Sequence, residues 1–131
     1  MSDLLTREVL LLRDCIEIAK KQWRFEIQAA VVLPSQMQIL GVFESSRYGI
    51  GKAMESIQST FEQHLPERYL PLWDGQAAIS ELEWSSVPLR IRFIEAAPVG
   101  AGLVERPSDW RFSTAYRESE NDLRYLGADV A

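Results

Sequence analysis

Residues 25–43 read FEIQAAVVLPSQMQILGVF. The segment opens on alternation, Phe25, Glu26, Ile27 and Gln28, and then runs continuously apolar to Leu33. Alternation marks a half-covered strand, and a short unbroken apolar run marks a strand entering a core. Pro34 and Ser35 break the run, because proline brings no N–H to a ladder and both residues favour turns. Residues 37–43 (MQILGVF) read as a neighbouring strand. Two strands with so tight a break between them form a hairpin.

On either side of the hairpin the apolar period lengthens to three or four. Thr6 and Glu8 precede Val9, Leu12, Ile16, Ala19 and Trp23, with Leu10 and Cys15 widening the stripe. This spacing predicts a helix over 6–22, with Lys20, Lys21 and Arg24 suited to its C-terminal end. Ile50, Met54, Ile57 and Phe61 predict a second helix over 47–63, weakened at its start by Gly49 and Gly51 and ended by His64, Leu65 and Pro66. A loop through Pro71, Leu72, Trp73, Asp74 and Gly75 follows, and residues 77–82 (AAISEL) read as a strand. Ser85 or Ser86 caps a third helix with Pro88 in its first turn. That helix carries Leu89, Ile91, Phe93 and Ile94 and is expected to stop near Ala97 and Pro98. Residues 99–116 read as compact loop with a short helix. Residues 117–131, with Glu118, Glu120, Asp122 and Asp129, read as a loose acidic tail outside a single 1–116 domain.

Composition bounds the function. At 131 residues, with 47% hydrophobic and 25% charged, the chain fits one globular domain and not a disordered one. The net charge of -5 argues against attachment to nucleic acid through a generally basic surface, although a local patch stays open. One cysteine and one histidine exclude an internal disulfide and a zinc site built from those ligands. Cys15 falls in an apolar stripe and reads as a small core residue. No basic-then-apolar leader and no apolar run near the ~20 residues needed to cross a bilayer are present, so the expectation is a soluble, cytoplasmic protein.

Three segments carry a resemblance when taken together. They are Phe25-Glu26-Ile27 with Val31-Val32-Leu33-Pro34; Pro71-Leu72-Trp73; and Phe93-Ile94-Glu95-Ala96-Ala97-Pro98-Val99-Gly100-Ala101-Gly102-Leu103-Val104 followed by Ser108-Asp109-Trp110-Arg111-Phe112-Ser113-Thr114. Their order and spacing resemble the single-tyrosine HUH transposases, in the branch of REP-associated tyrosine transposases. That family's third segment reads Y-I-x-x-N-P-V-x-x-G-L-V and then D-W-P-[WF]-S-S. The resemblance extends from Leu5 to about Tyr116. It implies an α+β, ferredoxin-like HUH fold: an antiparallel sheet with helices on one face. It also implies a chemistry in which an H-x-H pair holds a divalent metal on single-stranded DNA and a helix tyrosine attacks the phosphate.

The departures fall on that chemistry. Where the family reads V-L-P-x-H-x-H, this chain has Val32-Leu33-Pro34-Ser35-Gln36-Met37-Gln38, so Gln36 and Gln38 replace both histidines. Phe93 stands at the family tyrosine and Ala97 at the family asparagine. Neutral carboxamides are weak metal donors, and phenylalanine offers no oxygen to a phosphate. The expectation is no catalytic residue, no metal and no cofactor. Family members usually begin with a strand before this helix, whereas here the helix starts almost at Met1, so the sheet is expected to lack that strand. An exposed edge invites pairing with a partner or a second copy.

Each remaining candidate has a plain reading beside a functional one. Gln36 and Gln38 are either two satisfied polar strand residues or a remnant pocket that hydrogen-bonds phosphate or base. Phe93 is first a core or pocket-lining aromatic and only then a stacking surface. Trp84 is first a core residue and otherwise a base-stacking or interface anchor; Trp73 and Trp110 match family positions and read as structural. Arg90, Arg92, Arg106 and Arg111 form either a basic patch for phosphates or a solvated face shared with Glu95 and Glu105. His64 suits a helix end. Tyr48, Tyr69, Tyr116 and Tyr125 are the available phenols, none at the family position. The function expected is an inactivated transposase relative that binds structured or single-stranded nucleic acid; the alternative is a protein-interaction module without nucleic-acid contact.

Overall fold

In the computed structural model the described residues are 3–43, 47–65, 73 and 77–116. The fold is α+β. Its elements are α1 (Leu4–Arg7), α2 (Val9–Trp23), β1 (Phe25–Leu33), β2 (Gln36–Phe43), α3 (Arg47–Gln63) and α4 (Val87–Gly100), with 3₁₀ turns at Trp84–Ser86 and Pro107–Asp109. Among the described residues the sheet is the β1-β2 hairpin. The chain divides into two compact units, one formed by Met1–Val9, Ile27–Gly41 and Leu82–Ala131, the other by Leu10–Glu26 and Val42–Glu81.

The first unit is built on alternation in β1. Ala29, Val31 and Leu33 point to one face of the strand and are buried with Ile94 of α4; Leu40, Ile91, Ala97 and Trp110 pack around them. The edge of β1 is closed by a distant segment. Val32 N–H donates to Phe112 O at 2.8 Å, and Val31 and Ser113 form an antiparallel bridge. Ala30 N–H donates to Thr114 Oγ1 at 3.2 Å, and Trp110 Nε1–H donates to Val32 O at 2.8 Å. Residues 110–114 thus partner β1 within the chain at Ala30–Val32. Among the described residues no strand lies beside the outer edge of β2.

The second unit holds the other two long helices. The buried stripe of α2 is Leu12, Cys15, Ile16 and Ala19, and that of α3 includes Ala53, Ile57 and Phe61. Leu10, expected to widen the α2 stripe, is exposed. Burial, and then the charge of Asp14, raise the Cys15 thiol pKa, as suits an unreactive core residue. Phe25 and Phe43 stack with centroids 4.3 Å apart. Trp73 is structural, its ring tilted against Phe61 and its Nε1–H donating to Gln58 O at 3.0 Å. His64 Nδ1 bonds Thr60 O at 2.8 Å and so closes the last turn of α3.

Three further expectations are corrected. The helix over 6–22 is two helices: α1 starts at Leu4 and gives way at Glu8, whose N–H still reaches Leu4 O. Residues 77–82 form no strand; Ala and Glu are poor strand formers, and Ile79 remains exposed. The third helix does not stop at Ala97 and Pro98 but runs to Gly100 with Pro98 inside it. Its real end is a Schellman motif, in which Leu103 N–H donates to Pro98 O and Gly102 N–H to Val99 O, with Gly102 at φ 77°. Proline costs the last turn one hydrogen bond, and its buried ring and this cap offset the loss.

The two kinds of glycine here should separate in equilibrium denaturation. A Cβ on Gly102 meets open space, so Gly102→Ala should lose about 1–2 kcal/mol through the left-handed backbone alone. Gly51→Ala, equally unobstructed but inside α3, should gain about 0.5–1 kcal/mol.

Candidate nucleic-acid interface

Helix α4 is apolar on two sides. Ile91, Ile94, Ala97 and Pro98 turn to the core, and Ile94 is 3% exposed. Leu89 and Phe93, four residues apart, share the outward side and are 70% and 59% exposed. Trp84, in the 3₁₀ turn that leads into the helix, is 71% exposed. Phe93 and Trp84 are thus surface residues, which corrects the reading of Trp84 as core and, of the two plain readings of Phe93, the core one.

The charges on α4 are divided in the same way. Arg90 and Arg92 are exposed, and the Arg90 guanidinium lies over the Phe93 ring at 5.2 Å. Glu95, half-buried, accepts a 2.8 Å hydrogen bond from Thr114 Oγ1–H. The one acid on α4 is therefore held by the 110–114 segment, while Glu83, just before the helix, is exposed.

The other two arginines of the expected patch are placed differently. Arg106 is engaged twice by Asp109, at 3.2 and 3.1 Å. Arg111 lies over the Phe112 ring at 5.8 Å, and that ring meets Trp110 edge-on. Trp110 is structural through its bond to Val32 O.

On β2, Gln36 is exposed and Gln38 half-buried. Strand alternation places both on the face that carries Leu40, which packs against the cluster containing Ile94. Ala97 belongs to that packing. Tyr116 is half-buried. Tyr69, Tyr125, the 71–72 part of the tryptophan loop and the 117–131 tail lie outside the described residues, as does the side chain of Tyr48. Among the described residues no three His, Cys, Asp or Glu side chains gather as metal ligands, and no helix is long and apolar enough to cross a membrane.

No family model matches the chain. A REP-associated tyrosine transposase of Escherichia coli (strain K12) is 29% identical over 124 residues, 93% of this chain and 73% of that one. A solved structure of a REP-associated tyrosine transposase bound to a REP hairpin matches with a TM-score of 0.78 at 26% identity, covering 99% of this chain and 79% of the other. In sequence and in fold the chain is similar to the REP-associated tyrosine transposases. The match runs over nearly the whole chain, as the three sequence segments had implied.

Sequence reasoning missed Leu89 as a surface residue and the Thr114–Glu95 bond altogether. The four-residue spacing of Leu89 and Phe93 was a usable signal for the first. The second joins residues nineteen positions apart and left no periodic trace. Thr114→Val should cost about 1–2 kcal/mol in urea denaturation, because Glu95 and Ala30 N–H both lose a partner.

Proposed function

We propose that this chain, a relative of the REP-associated tyrosine transposases, binds hairpin or single-stranded nucleic acid and does not cut it. The binding half rests on the family and on the match to a relative solved with a REP hairpin. The other half rests chiefly on Phe93: the side chain standing at the family nucleophile is a surface ring with no oxygen to transfer to.

The donor set on β2 supports the same reading. The resemblance implies a divalent ion at the positions of Gln36 and Gln38. Two neutral carboxamides do not fit it, since such an ion calls for imidazole or carboxylate donors. The same amides, on a partly exposed strand face, remain able to donate to phosphate oxygen and accept from a base.

The charge distribution sets how binding works. With -5 overall, attraction must come from a few local cations, of which Arg90, Arg92 and Arg111 carry no carboxylate bond among the described residues. Two or three phosphate contacts correspond to a log–log salt slope of about -2 to -3.

A gel-shift series with hairpin DNA across salt concentrations tests the binding half; absence of a shift at low salt would overturn it in favour of the interaction module. For the other half, protein, single-stranded DNA and magnesium or manganese are incubated and run on a denaturing gel. No covalent protein–DNA adduct is expected, and an adduct would refute the loss of cleavage.

A further inference from the structure

We infer that the outer edge of β2 is a docking edge for a second copy of this chain. Two copies pair their β2 strands antiparallel across a two-fold axis, and two hairpins become one continuous sheet. This goes beyond nucleic-acid binding and does not depend on it.

Three observations converge on it. The first is main-chain geometry. β1 ends at Leu33 and β2 begins at Gln36, so a two-residue turn joins them. Such a turn sets Met37 opposite Val32 and Ile39 opposite Ala30, and alternation along the ladder points the N–H and C=O groups of these residues away from the hairpin. On β1 the groups so placed, Ala30 and Val32 N–H, are taken by Thr114 and Phe112. On β2 they belong to Met37, Ile39 and Gly41, and among the described residues no strand lies beside them. The second observation is burial. β1 buries Phe25, Ala29, Val31, Val32 and Leu33. β2 carries Met37, Ile39, Leu40, Val42 and Phe43, yet none of its residues is buried. The third is the absence of a guard. Exposed edges are normally protected by lysine or proline, and residues 36–43 contain no charge and no proline.

The third observation also selects the occupant. Each copy carries a net charge of -5, but an uncharged strand meets its own twin without local repulsion. With Ile39 on the two-fold axis, the two Ile39 side chains lie opposite each other. Each Met37 then lies opposite a Gly41, so the long side chain covers the position that has none. A two-stranded sheet is marginal, and one isologous contact extends both sheets at once, whereas a foreign strand would extend one.

The test is light scattering of the full chain across a concentration series, with hydrogen exchange read at the Ile39 and Gly41 amides. At high concentration a species of twice the 15.0 kDa chain mass is expected. Both amides should exchange about tenfold or more slowly there than in the dilute chain. Ile39→Pro removes an outward donor while leaving the ladder to β1, and should weaken self-association about tenfold or more with the far-UV circular dichroism unchanged. The exchange measurement on the unaltered chain decides the matter if that variant does not fold. The mass of one chain at every concentration would overturn the inference. So would a dimer in which both amides exchange as in the dilute chain, which would place the contact elsewhere. Protection of both amides independent of concentration would overturn it too, in favour of cover from within the chain.

Discussion

Ile94 has to reach Ala29, Val31 and Leu33, and the arrangement of the candidate surface follows from that single packing contact. Successive residues on a helix diverge by about 100°. With Ile91, Ile94 and Pro98 turned inward, Phe93 falls on the other side of the helix. Leu89, one turn earlier on the same side, is carried outward with it, and Arg90 comes to rest against the ring. The exposed aromatic surface is thus a by-product of burial on the opposite side of the same helix.

A second constraint holds the sheet. A two-stranded hairpin has two bare edges, and such a sheet is marginal alone. The 110–114 segment answers one edge with main-chain, hydroxyl and indole groups in succession. Thr114 serves two ends, since its hydroxyl also holds Glu95 on α4. Sheet closure and the charge pattern of α4 are therefore joined at one side chain.

Elements with a single strong period were legible in the sequence. Phe25–Leu33 and Arg47–Gln63 fall where the apolar spacing put them, and Leu12, Ile16 and Ala19 face inward as read. Features that depend on distant neighbours were not. Residues 77–82 look like a strand until one asks which edge they pair with. Pro98 looks like a stop until the cap at Gly102 supplies partners for the last carbonyls. Leu89 and Phe93 looked buried because α4 is apolar nearly all round, and periodicity alone does not say which of two apolar sides meets the sheet. The site was legible as chemistry, in the identities of Gln36, Gln38 and Phe93, and not as geometry: the outward ring, the arginine over it and the engaged Arg106 appear only in the structure.

The strap along β1 has a consequence for the order of events as the chain emerges from the ribosome. The hairpin is available once residue 43 has appeared, but the groups that partner its bare side, at 110–114, come about seventy residues later. Until then the nascent chain shows a naked strand that rewards any other extended peptide in reach. Long-range closure of this kind is slow compared with local helix formation. Synthesis that halts before Trp110 would leave a translation product with an unsatisfied ladder, and chaperones or proteases would meet the molecule at that point.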